Sequence, residues 1–273
     1  MFTSNPFAAL TEIIPVATMQ AYVIAMMIFV VAGTIIDVVH KRSKEYFDGF
    51  TKEMEKRAKR PVSNKGGLLI KTVTNEVLTS SEFKNPKRRL SHLLTMYGFI
   101  FFVAATAIMI FGYGDQADAG IWGLLWHVGA LMLCVGGYWF WFDIRVDVAA
   151  EGLAWNDLDF RRDVFILSML AMCTFALLWS FTGSMLMFVL FIASSTLLFT
   201  TVIWSKFAHM FFKPAAAFQK KVIWESGARE NLPDIPDLSS AEVKEKFPDI
   251  PTYMGDNPPY MGPGINREPP RHY

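Results

Sequence analysis

Apolar residues along this chain gather into a few long runs separated by short, strongly polar stretches. Residues 13–36, 90–114 and 119–142 contain no Asp, Glu, Lys or Arg. The hydrocarbon core of a bilayer needs roughly 20 residues of helix, so each run predicts one membrane span. A fourth uncharged run, 164–205, is about twice that length and carries Thr182, Gly183 and Ser184 near its middle. Small and turn-forming residues at that point predict two helices joined by a tight turn. The pattern therefore predicts an all-α integral membrane bundle of five helices, at 14–39, 91–113, 120–142, 163–182 and 185–211. An odd number of spans puts the termini on opposite sides.

The polar stretches set the expected orientation, because cytoplasmic loops retain Lys and Arg. Fourteen of the 26 cations lie between Lys41 and Arg89, three between Arg145 and Arg162, and nine from Lys206 onward. The first twelve residues, the 115–118 loop and the 182–184 turn have none. The N-terminus is expected outside and the C-terminus in the cytoplasm, in a multi-pass protein of the inner membrane. The first segment lacks a basic leader and a clear small-residue cleavage site, so span one reads as a retained helix rather than a signal peptide. The expected organisation is 1–40 for the outer N-terminus and first span, 41–90 for a basic cytoplasmic loop, 91–211 for a four-span bundle and 212–273 for a cytoplasmic tail.

Within the polar parts, Tyr46, Phe47, Phe50 and Met54 recur at helical spacing among Lys and Glu. That spacing suits an amphipathic continuation of span one along the membrane surface. Asp143, Asp147 and Glu151 recur every four residues after span three and read as a solvated acidic face. Nine of the 14 prolines fall between Pro233 and Pro270, and Pro-Asp-Ile-Pro occurs at 233–236 and 248–251. Between the repeats, Ser239 and Glu242 predict a short capped helix. Such an extended tail cannot build a core of its own, and its recurring Ile, Leu and Tyr suit anchoring to a partner.

Composition narrows the function classes. Charged residues make up 19% of the chain and hydrophobic ones 52%, against about a quarter charged in soluble domains, which excludes an ordinary soluble domain. A net charge of +1 lacks the basic excess of a nucleic-acid reader. Two cysteines without C-x-x-C spacing exclude an intrinsic iron–sulfur cluster, a zinc knuckle and a disulfide framework. Cys134 and Cys173 fall near the middle of spans three and four and are expected to pack, a redox pair between the helices being the alternative.

Four of the five histidines map to span ends: His40, His92 and His209 at inner ends, and His127 near an outer end. Spans two and five each present a histidine at the same expected depth, His92 and His209. Two neutral imidazoles facing each other across a helical bundle are what axial ligation of a b-type haem requires. Arg88, Arg89, Lys206 and Lys213 lie at the same expected surface to hold the propionates. Quinone binding or plain interface packing are the other uses these histidines could serve.

Arg89-Leu90-Ser91-His92 followed by Met96-Tyr97-Gly98-Phe99, together with Trp204-Ser205-Lys206-Phe207-Ala208-His209-Met210, resemble the haem-b membrane subunits of the respiratory nitrate reductase gamma type. The chain is most similar to their relatives in heterodisulfide-reductase-like, quinone-interacting and sulfite-reductase-linked complexes, and especially to the membrane proteins associated with adenylylsulfate reductase. The resemblance covers about residues 85–215. It implies a helical anchor that carries electrons between a cytoplasmic iron–sulfur or flavin enzyme of sulfur metabolism and membrane quinone. Two-haem members carry further histidines deeper in spans two and five, where this chain has Phe101, Phe102 and Val103, and Phe188, Val189 and Phe191. One haem b near the cytoplasmic face is the expectation.

Quinone chemistry needs an apolar slot beside a hydrogen-bonding or titrating group. His40 offers this on the inner side, and His127 with Trp126 and Tyr138 on the outer side. The expected partners are cytoplasmic iron–sulfur and flavoprotein subunits, membrane lipid and quinone. A purely structural anchor without haem is the competing reading. A transporter is disfavoured, because the uncharged runs at 13–36, 90–114, 119–142 and 164–205 contain no charged residue and the spans show no paired broken helices.

Overall fold

The computed structural model describes residues 2–81, 83, 85–147, 151–228 and 241–246. The described residues are helical, with one isolated antiparallel bridge between Ser4 and Asp118. In chain order the helices are α1 (Val16–His40), α2 (Ser43–Lys56), α3 (Lys65–Thr72), α4 (Pro86–Ile108), α5 (Ile121–Trp139), α6 (Phe160–Thr182), α7 (Met185–Thr200), α8 (His209–Glu225) and α9 (Ala241–Lys246). Helices α4 and α5 each finish in a π-helical turn, Met109–Tyr113 and Phe140–Ile144. With those turns, four helices are long and apolar enough to cross a membrane, and α7 is a shorter apolar helix. The chain is an all-α, multi-pass membrane protein.

Two compact units divide the chain. The first comprises Met1–Asp37, Leu90–Asp143 and Ala154–Phe207; the second comprises Val38–Arg89, Ile144–Leu153 and Ala208–Tyr273. In the first, the start of α6 is fixed by a short polar side chain, which satisfies an otherwise unpaired first-turn amide. Asp159 Oδ1 accepts from the Arg162 amide at 2.9 Å to open α6. The turn expected at Thr182-Gly183-Ser184 is present: Gly183 takes φ +67°, which glycine adopts without a Cβ clash, and the Ser184 amide donates to Thr182 Oγ1.

Helices α4 and α5 touch almost backbone to backbone. A Cβ on Gly98 would lie 2.8 Å from the Gly129 carbonyl oxygen, and one on Gly129 would lie 2.7 Å from the Phe102 amide nitrogen. Two turns further along, Ser91 Oγ donates to the Gly136 carbonyl at 2.8 Å. At the end where α4 finishes and α5 begins, an aromatic core forms around Trp126, which has no exposed surface. Phe102 lies 5.0 Å from it and Trp179 6.4 Å, centroid to centroid, and Trp179 stacks on Phe191.

The segment before α1 belongs to this core. Phe7 packs its ring 5.5 Å from Trp179 and 6.0 Å from Trp126. Buried Asn5 fastens the segment: its Nδ2 donates to the Gly114 and Gln116 carbonyls at 3.2 and 3.1 Å, and its Oδ1 accepts from the Phe7 amide. Replacing Asn5 with alanine strands these groups at a buried site and should cost about 2 kcal/mol. The measurable consequence is faster proteolysis within residues 2–15, with cleavage elsewhere unchanged.

Three sequence expectations change. The fifth span does not run to 211: α7 stops at Thr200, and the chain turns through 3₁₀ segments at Val202–Trp204 and Lys206–Ala208 before α8. Thr200, Thr201, Val202 and Ile203 are consecutive β-branched residues, which weaken a helix. Thr200 and Thr201 also turn their hydroxyls back onto the carbonyls of Thr196 and Leu197. A sixteen-residue helix is about 24 Å long, shorter than the other four. His209 consequently opens α8 rather than closing a fifth span.

The second change concerns residues 41–60. Arg42 adopts φ +50°, so α2 is a separate helix rather than a continuation of α1. Its apolar side faces protein: Met54, with Phe50 against it, packs with Ile223 and Ala228. Gln219 Nε2 donates to the Phe47 carbonyl at 3.1 Å and to the Thr51 hydroxyl. The third change is the acidic face. Asp143 accepts from Trp139 Nε1 at 2.9 Å in the π turn, while Glu151 pairs with Arg88 at 3.2 Å beyond a turn at Asp147. The three carboxylates share no helix. The proline-rich repeats and Ser239 lie outside the described residues; the short helix expected beside them is α9.

Candidate functional site

Among the predicted cations, two come together. In the second unit, Arg88 Cζ lies 5.7 Å and Lys213 Nζ 5.5 Å from the centroid of the Phe83 ring. Arg88 also donates to Glu151, each side chain being roughly three-quarters covered. Two cations against one aromatic ring are a grouping that suits a carboxylate or phosphate oxygen. Arg89 is not part of the cluster; its Nε donates to the Thr79 carbonyl at 2.8 Å. Lys206 is exposed on a 3₁₀ turn of the first unit.

His92 is partly buried on α4, with its carbonyl accepting from Thr95 Oγ1 at 2.9 Å. Two turns deeper on the same helix face, Phe99 meets Phe199 at 6.3 Å and Phe207 at 6.2 Å, and Phe165 meets Phe207 at 5.6 Å. Of those rings Phe207 is buried and the other three are half-buried. His209 stands at the first position of α8, and its side chain lies outside the described residues. His40 is the exposed last residue of α1.

His127 is held firmly. Its Nδ1 is 2.7 Å from the Gly123 carbonyl and its Nε2 is 2.7 Å from Ser180 Oγ, with the ring edges of Phe2 and Trp126 packed against it. Trp126 donates Nε1–H to Thr106 Oγ1 at 2.9 Å. Both ring nitrogens of His127 are thus occupied by the protein's own groups, and the aromatic residues beside it are interior packing. Tyr138 sits about 16 Å further along α5, at 1.5 Å per residue, and does not join Trp126 and His127. Its hydroxyl is 2.9 Å from Thr174 Oγ1.

The structure reveals three features that the sequence reading passed over. Asp37 and Asp163 are buried at the ends of α1 and α6, although both sit next to apolar runs where hydropathy registers only a boundary. Asp163 accepts from the Arg162 guanidinium at 3.1 Å and from the Asp159 amide at 3.0 Å. Buried Arg145 is the third. Their only sequence signal is position, as charges within one turn of a span end. Among the described residues, no group of three or more His, Cys, Asp or Glu is placed to hold a metal ion. No protein-family profile, curated protein or solved structure matches this chain.

Proposed function

We propose that this chain is the membrane anchor and electron-transfer subunit of a quinone-linked oxidoreductase, carrying electrons between a cytoplasmic iron–sulfur or flavin enzyme of sulfur metabolism, such as adenylylsulfate reductase, and membrane quinone. Its N-terminus lies outside an inner membrane and its C-terminus in the cytoplasm. One haem b, held by His92 and His209, supplies the one-electron step between the two-electron chemistries on either side.

The observation that carries this reading is the convergence of Arg88 and Lys213 on Phe83. Arg88 precedes His92 by four residues on α4, and Lys213 follows His209 by four residues on α8. Propionates need such cations beside the iron ligands. Charge distribution adds support. The second unit holds fourteen, one and eight Lys and Arg in its three segments, leaving three for the apolar unit. A soluble enzyme with an acidic docking face would find its complement there.

A structural anchor without haem is the second reading, favoured by the Phe99, Phe165, Phe199 and Phe207 rings that pack on one another two turns from His92. The test of subunit function is purification of the full chain from its own membrane in mild detergent. The expected result is a stoichiometric iron–sulfur or flavin oxidoreductase that reacts with added quinol only while the chain is present. Recovery of the chain with no redox protein would refute the proposal.

A further inference from the structure

The two cysteines meet. Cys134 on α5 and Cys173 on α6 place their sulfurs 3.2 Å apart, against about 2.05 Å in a disulfide, so a sulfur displacement of roughly 1.2 Å would join them. Both are free thiols, and both lie near the middle of their apolar helices. The pair is asymmetric: Cys173 is fully covered, whereas Cys134 is partly exposed. Around Cys134, the outward face of α5 carries the exposed side chains Leu131, Val135 and Tyr138. Access to the sulfurs is therefore from the lipid side, over an apolar surface.

A polar path leaves the same spot. Cys134 Sγ is 3.7 Å from Thr174 Oγ1, which is 2.9 Å from the Tyr138 hydroxyl, and Tyr138 stacks on Phe142 at the exposed surface. A thiol, a threonine hydroxyl and a phenol in sequence can pass one proton outward. A flat aromatic pair beside them offers a ring-sized apolar contact. Ordinary packing needs neither the sulfur contact nor the hydroxyl chain.

We propose that Cys134 and Cys173 form a membrane-embedded dithiol that a lipid-dissolved quinone oxidises to an intramolecular disulfide. Cys134 reacts first at the lipid face, and Cys173 closes the bond. Two S–H bonds break and one S–S bond forms. The two electrons and two protons pass to the quinone oxygens, giving one hydroquinone per disulfide, with one proton routed through Thr174 and Tyr138. The proposal takes its quinone, though not its haem, from the function inferred above.

The test uses the full chain in lipid nanodiscs, reduced with a phosphine, freed of reductant and incubated without oxygen with a short-chain ubiquinone analogue. The expected outcome is a fall from two maleimide-reactive thiols per denatured chain to none, a mass loss of 2 Da, and one hydroquinone formed per chain. Cys134→Ser and Cys173→Ser should each retain their single thiol and form no hydroquinone. Tyr138→Phe should slow the reaction severalfold and leave its end point unchanged. A titre that stays at two overturns the proposal, as does equally fast oxidation by oxidised glutathione, which does not enter lipid. A chain without haem absorbance whose thiols are still consumed would remove the haem reading and leave this one standing; the converse result would do the reverse.

Discussion

Gly129→Ala should destabilise the detergent-solubilised protein by about 1–3 kcal/mol, the usual cost of overpacking a well-filled interior. A single methyl group is enough because its neighbours cannot step aside. The new Cβ would lie 2.7 Å from the Phe102 amide nitrogen and 2.8 Å from the Gly98 carbonyl oxygen, both backbone atoms of α4. Relief requires α4 and α5 to separate, which also stretches the Ser91–Gly136 hydrogen bond and loosens Phe102 on Trp126. Gly112→Ala is the matched control, since nothing lies within 4 Å of its added Cβ. Alanine favours helix over glycine by up to about 1 kcal/mol, so the control should be neutral or slightly stabilising. Thermal unfolding of the two variants in the same detergent reads the difference directly, and equal midpoints would show that the α4–α5 seam is not close-packed.

His92→Ala and His209→Ala should each abolish b-type haem absorbance, because an axial imidazole cannot be replaced by a methyl group. His127→Ala should retain the absorbance while lowering stability, since its loss leaves Ser180 Oγ and the Gly123 carbonyl without their buried partner. Lys213→Ala and Arg88→Ala should weaken haem retention without abolishing it, by removing propionate partners rather than iron ligands. Pyridine haemochrome quantification of each purified variant gives the haem-to-chain ratio. A His92→Ala protein with the wild-type ratio would remove His92 from the ligand set.

How far the sequence reaches is clearest at the spans. Uncharged runs long enough to cross a bilayer located α1, α4, α5 and α6, and Thr182-Gly183-Ser184 located the turn before α7. The end of α7 was hidden because the uncharged run continues five residues past Thr200. Hydropathy has no signal where an apolar helix gives way to apolar turns. The amphipathic stripe of α2 was legible as a stripe, yet its partner was not, since a membrane surface and the apolar side of α8 select the same spacing.

The site residues divide in the same way. Arg88 and Lys213 were legible as cations near a histidine, and the structure brings them to one ring. Grouping Tyr138 with Trp126 and His127 failed because three turns of helix separate them, a distance that composition ignores. The thiol contact depends on the rotation of α5 against α6, which neither helix encodes alone. Phe7 and Asn5 precede any span and carry no periodic signal; Asn5 is held by its bonds to the loop at 114–119, and Phe7 by the rings of Trp126 and Trp179.

In the proposed function, electrons pass through a haem held by this chain. A reduced-minus-oxidised visible spectrum of the full chain, purified with its redox partner, tests it most directly. The expected result is b-type bands at one haem per chain, reducible by a quinol analogue. A purified complex that retains its partner and oxidises quinol with no b-type bands would contradict it and leave the chain as an anchor alone.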